Sequence, residues 1–226
     1  MKAFVLLMAM TVAAFASLAP ASLQTAPELR SLVKPDVYKR ARDDREIMSG
    51  ARLEDAPRGT DARRYRYYVM TTVSAPLKLT RDTLTNYDLY PQMIPYVHKA
   101  MYSRERKSLQ LEGGIWKFKM ASTVEFEEKS PCWISYRVTA GHFKGLEGAM
   151  IFEDIAERGT MVYFSGEVSG SHWPPKLILE RGAEIVFGYT ARRMRSYIEE
   201  LKEKTINDRE RKRDERGEIP QPRRKL

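Results

Sequence analysis

The chain has 226 residues, 42% hydrophobic and 31% charged, enough for one good core and no demand for a second domain. Its single cysteine, Cys132, excludes an intramolecular disulfide and reads as a buried, inert thiol. The three histidines, His98, His142 and His172, lie too far apart in sequence for metal-ligand spacing. The net charge of +9 and pI near 9.6 fit an anionic partner or plain solubility, but no nucleic-acid-binding motif is present.

Met1-Lys2 gives a minimal positive start, Ala3 to Ala16 is almost wholly apolar, and Ala14-Phe15-Ala16 and Ala19-Pro20-Ala21 offer cleavage options. Residues 1–21 therefore read as a secretory signal peptide, and the mature protein is expected to be exported to the periplasm. The apolar run is shorter than the roughly 20 residues that span a bilayer, so an uncleaved anchor is the lesser reading. Residues 22–44 read as a polar helical linker, with Pro35-Asp36 at a helix start. A strand is predicted over about 46–53. It is followed by the turn-rich Asp55 to Asp61 and a second strand over 65–73, rich in Tyr, Val and Thr.

Ala75-Pro76 ends that strand, a helix is predicted over about 77–85, and Pro91 and Pro95 bracket a further short helix or tight loop. Strand character then covers about 98–106, 108–127, 132–140, 145–155 and 159–169, with turns at Gly113-Gly114, Lys129-Ser130-Pro131, Gly141 and Glu157-Arg158-Gly159. Trp116, Phe118, Met120, Ser122, Val124 and Phe126 alternate with mostly polar neighbours, as one buried face of an antiparallel sheet requires. Gly141, Gly145 and Gly148 fall on or beside strands, where glycine marks a bend, a bulge or a close approach to the backbone. A sheet bent there can curl around a helix, a ligand or both. Pro174-Pro175 opens a last helix, to about Lys204, with Leu179, Ala183, Val186, Thr190, Met194, Tyr197 and Leu201 on one stripe. Residues 205–226 form a charged tail of mixed sign in which only Arg223-Arg224-Lys225 is purely basic. That patch suits a weak attraction to an anionic membrane surface.

The segment from Leu84 to Val97, LTNYDLYPQMIPYV, resembles a signature of the START-like, polyketide-cyclase and ubiquinone-binding superfamily. His142 to Gly148, Gly159-Thr160-Met161-Val162 and the final helix after Pro174 resemble the same proteins, over about residues 45–204. The chain departs from that pattern at Arg81-Asp82-Thr83, where a tryptophan is usual, and at Met150, where an aromatic is usual. The resemblance implies an α+β helix-grip fold, a curved antiparallel sheet around a long C-terminal helix, with a cavity between them for an apolar molecule. The lining so implied is Trp116, Phe118, Met120, Phe143, Met150, Phe152, Val162 and Phe164 on the sheet. Tyr189, Met194 and Tyr197 would close it from the helix, with Tyr90, Met93 and Ile94 at the mouth. Met mixed with aromatics suits an adaptable apolar pocket, although a sheet gripping a helix needs large apolar residues in any case.

The favoured function is a binding or carrier protein for a lipid, quinone or polyketide-like molecule, with no cofactor. An enzyme of the cyclase or dehydratase type is the less favoured reading. Its candidate acid–base groups would be Arg137, better read as solvent-facing beside a cross-strand Glu, and His142, better read as a turn residue. A third reading gives the function to a membrane surface recognised by the basic tail.

Overall fold

The computed structural model describes residues 25–55, 59, 61–115, 118–171, 173 and 176–215. The expected signal peptide, Trp116, Pro174-Pro175 and the basic patch Arg223–Lys225 lie outside them. No helix among the described residues is long and apolar enough to cross a membrane.

Two helices, α1 (Leu29–Leu32) and α2 (Pro35–Asp43), precede the first strand, and Pro35 occupies the first turn of α2, where its missing N–H is harmless. An antiparallel pair follows, β1 (Met48–Glu54) and β2 (Arg63–Val73). Next come α3 (Leu77–Thr85), a short 3₁₀ turn (Tyr87–Leu89) and α4 (Tyr90–Met93). Six strands then run as a meander: β3 (Val97–Ser103), β4 (Ser108–Ile115), β5 (Phe118–Ser130), β6 (Trp133–Gly141), β7 (Glu147–Asp154) and β8 (Thr160–Gly170). The last helix, α5 (Lys176–Glu215), runs 40 residues, so the expected tail is helical as far as Glu215. All eight strands form one antiparallel sheet in the order β1-β2-β8-β7-β6-β5-β4-β3, gripping α5 on one face.

The observed elements lie close to the expected ones, except that the β4–β5 turn falls after Gly113-Gly114 rather than on it. Gly113 and Gly114 belong to β4, and Gly113 sits where a Cβ would collide with the Tyr96 carbonyl. One register shift coincides with a glycine, since Val97 faces Gly113 where it occurs. The extra residues are His98 in β3, Thr139 in β6 (opposite Thr123/Val124) and Lys129 in β5. Such bulges sharpen the local bend of a strand.

Alternation assigns the two faces. Along β2, Tyr65, Tyr67 and Val73 point to the concave side, while Tyr68, Met70 and Thr72 point to the convex side. The convex face is covered too. Leu29 and Ala41 from α1–α2 pack on Met70, Ile151, Met161 and Tyr163 as a separate small core. Polar ties hold this strap. Thr72 Oγ1 donates to the Ala41 carbonyl at 2.7 Å, the Tyr38 hydroxyl donates to Glu153 at 2.6 Å, and Arg158 pairs with Asp43 at 2.8 Å. Residues 25–43 are therefore a packed layer rather than a linker.

Candidate functional site

The concave face is built around tyrosines that the strand period places inward. One row crosses four strands: Tyr67 on β2 opposes Gly166 on β8, which opposes Gly148 on β7, which opposes Tyr136 on β6. The two central glycines leave a bare backbone floor, and both phenol rings lie down over it. A Cβ at Gly166 would sit 2.7 Å from the Tyr67 hydroxyl and 2.8 Å from that of Tyr136, and a Cβ at Gly148 would overlap the Tyr136 ring. What approaches the backbone at Gly148 is thus the protein's own side chain.

The two hydroxyls meet at 2.7 Å, and Tyr136 donates onward to the Ser165 carbonyl at 2.8 Å. A hydroxyl has one proton to give, so Tyr67 must be the donor to Tyr136. Burial pushes both phenols above their ordinary range, and for Tyr67 the bond to Tyr136 opposes that shift only in part. Both remain protonated donors at neutral pH.

Rings extend this pair in two directions. Phe187 of α5 stacks on Tyr67 at 4.4 Å, and Phe164 stacks on Tyr136 at 5.0 Å. Beyond Tyr136 the contacts pass through Phe126 to Tyr87, which stacks on Phe126 at 4.3 Å and meets Tyr90 edge-on at 5.4 Å. Tyr90 donates its hydroxyl to the Leu84 carbonyl at 3.1 Å. Tyr67 leads the other way to Tyr65, whose ring lies 5.6 Å from Trp173.

Tyr65 differs from the rest. It is 6% exposed, and its hydroxyl has no hydrogen-bond partner among the described residues. Burial, with Glu180 and Glu184 nearby on α5, pushes its pKa up to about 12. It stands near the end of the sheet where β2 starts, β8 finishes and α5 begins. Buried polar groups are almost always paired, because an orphan costs about 1–3 kcal/mol.

The middle of α5 is tied down by polar contacts. Glu199 accepts from the Ser74 N–H at 2.8 Å and pairs with Arg45 at 2.5 Å. Arg195 donates to the Arg45 carbonyl at 2.7 Å, and Lys202 donates to the Ser74 carbonyl at 2.8 Å. Burial lowers the Arg195 pKa below the usual guanidinium range.

The structure gathers most of the expected lining. Tyr90 and Met93 are buried in the concave core, with Ile94, Phe164, Met194 and Tyr197 packed against it. Met150 and Phe152 belong to an adjoining cluster with Ile198 and Val73, against which Val162 and Phe164 pack. Met120 is half-buried on β5, and nothing is described of the Trp116 and Phe118 side chains. Two residues fall outside. Phe143 occupies the β6–β7 turn with a positive φ of 62° and is 56% exposed. Tyr189 is 45% exposed, because five residues separate it from inward-facing Met194, a rotation of about 140° at 3.6 residues per turn. Arg137 faces solvent and pairs with its cross-strand neighbour Glu147 at 2.8 Å, while His142 lies in the turn, its Nδ1 3.2 Å from the Ala121 carbonyl.

Sequence reasoning did not single out Tyr65, Tyr67, Tyr87, Tyr136 or Phe187. The signal was the alternation in Tyr65-Arg66-Tyr67, which puts two phenols on one face. Among the described residues no group of three His, Cys, Asp or Glu could hold a metal ion. Two grooves of about 320 and 330 Å³ lie away from these rings. One runs between Ser74–Leu77 and Asp154–Gly159, the other between Ala26–Arg30 and Ile151–Glu153.

No family model and no curated protein matches the sequence. Solved structures do match in shape. A START superfamily protein from Mycobacterium smegmatis aligns at 14% identity with a TM-score of 0.52, covering 60% of this chain and 98% of that one. A protein of unknown function from Staphylococcus aureus aligns at 10% identity and 0.53, covering 62% and 96%. XoxI from Bacillus cereus aligns at 8% identity and 0.50, covering 61% and 97%. At such identities the likeness is one of fold. The chain has the START-like helix-grip fold, complete, with further chain of its own beyond it.

Proposed function

We propose that the protein is an exported, non-catalytic binding module for an apolar small molecule of the lipid, quinone or polyketide class. The molecule sits between the concave face and the first half of α5. The observation that carries this reading is the orphaned Tyr65 hydroxyl, enclosed among rings at the end of the grip where α5 begins. A ligand carbonyl or hydroxyl oxygen there would accept its proton, and the rings would hold the apolar remainder. Met150, Phe152, Val162, Phe164, Met194 and Tyr197 extend the lining, with Tyr90, Met93 and Ile94 at its far side. The two groups that could have served as acid or base, Arg137 and His142, stand outside the grip, which disfavours a cyclase.

The test is native mass spectrometry of the mature protein purified from its own cells, followed by solvent extraction. The expected result is a stoichiometric apolar adduct bearing at least one oxygen, bound about tenfold more weakly by Tyr65→Phe. A clean apo mass, with no thermal shift across a lipid and quinone panel, would sink the proposal.

A further inference from the structure

The outward face of α5 is unlike the rest of that helix. Between Lys176 and Arg193 it exposes Leu177 (71%), Ile185 (72%) and Tyr189, with Arg181, Arg192 and Arg193 among them. At 100° per residue, Arg181, Ile185, Tyr189, Arg192 and Arg193 fall within an arc of about 120°, opposite the stripe of Leu179, Phe187 and Met194 that enters the core. None of the three arginines has a carboxylate partner among the described residues. The carboxylates of this stretch, Glu180 and Glu184, are half-buried, and Glu180 accepts the Leu53 N–H at 2.8 Å. After Ser196 the character changes, with Glu200, Glu203 and Lys204 exposed together.

We propose that this face of α5 seats the protein on an anionic lipid surface. Unpaired guanidinium groups interleaved with a leucine, an isoleucine and a tyrosine form the pattern of a helix lying in the headgroup plane. The cations meet lipid phosphate while the apolar chains dip below it. A second copy of the chain is a poorer occupant, because self-pairing would bring like charges together over the same arc. Leu177 and the exposed Phe143 lie at one end of the sheet, since the β6–β7 turn and the start of α5 both follow strand ends there. That is also the end bearing Tyr65. The proposal stands on the surface alone and does not require an occupied grip.

The test is sedimentation of the full chain with phosphatidylcholine vesicles, with and without phosphatidylglycerol, at low and high salt. Tighter binding to the anionic vesicles is expected. It should fall roughly a hundredfold in Arg181→Gln/Arg192→Gln/Arg193→Gln, judged from the contribution of three basic residues near such a surface. It should also weaken in Ile185→Ser/Tyr189→Ser and persist in Arg223→Gln/Arg224→Gln/Lys225→Gln. All replaced α5 residues are exposed, so an unchanged far-UV spectrum is expected throughout. Equal binding to both vesicle types, or anionic binding lost only in the Arg223–Lys225 variant, would overturn the proposal. So would a concentration-dependent dimer abolished by Ile185→Ser. The extracted-ligand experiment is independent of all these outcomes.

Discussion

The two faces of the sheet are built on opposite plans. The convex face is a small, mainly aliphatic core, Leu29, Ala41, Met70, Ile151 and Met161 with Tyr163, edged by Tyr38, Tyr68 and Trp133 and sealed by a strap of two short helices. The concave face is a continuous array of rings in which the hydroxyls of Tyr67, Tyr136 and Tyr90 find partners inside the protein and that of Tyr65 does not. Aliphatic packing tolerates small errors of shape, whereas an enclosed hydroxyl is either satisfied or costly. Polar orientation is therefore specified on the concave side, and the convex side acts as a brace.

Alkaline titration should bear most strongly on the concave plan, although burial also raises Tyr163, Tyr68 and Tyr38 on the convex side. Burial raises the pKa of Tyr65, Tyr67, Tyr87, Tyr90 and Tyr136 above the ordinary phenol value near 10. Because the folded values are the raised ones, their stabilisation is complete below about pH 10 and is lost as pH rises through them. Tyrosinate absorbance should show exposed phenols ionising first, and this set only together with cooperative unfolding above about pH 12. Five phenols titrating near 10 in a still-folded protein would break the contrast.

Gly148→Val comes next. Its side chain has no room beneath the Tyr136 ring, so a loss of about 3 kcal/mol or more is expected by chemical denaturation. On the convex face, Met161→Ala should cost about 2–4 kcal/mol through an unfilled cavity while leaving ligand binding intact. The hydroxyl pair sharpens the comparison further. Tyr136→Phe removes the bond to Ser165 and strands the Tyr67 proton, at about 2 kcal/mol, while Tyr67→Phe removes one donor and should cost about 1 kcal/mol. Equal losses would mean that the donor order is wrong. Smallest of all, Arg137→Gln breaks an exposed pair and should change stability by less than about 1 kcal/mol.

Much of this was legible in the chain. The helix over 77–85 and the strand boundaries followed from prolines, glycine turns and period-two alternation, all local signals. Arg137 was read as solvent-facing because a cross-strand Arg–Glu pair is the commoner arrangement, while the alternation around it left open which face looks inward. The strap was not read as packing, since Ala41 is a small apolar island in a charged helix and its partners lie far away on β2, β7 and β8. Phe143 misled because hydrophobicity alone does not tell a turn tip from a strand interior, and Tyr189 because a few residues carry a helix position to the other side. Tyr65, Tyr67, Tyr87 and Tyr136 were passed over, although Tyr90 and Tyr197 were read, because the rings that enclose them come from distant strands and from α5.

The row Tyr67–Gly166–Gly148–Tyr136 makes four positions, spread over 100 residues of sequence, inherit as one. A larger residue at either glycine becomes tolerable only in a lineage that has already shortened a tyrosine. A shortened tyrosine in turn leaves open floor that favours a larger neighbour. Variation at these sites among descendants should therefore come in pairs, and each exchanged pair would redraw the space the grip encloses without moving a strand.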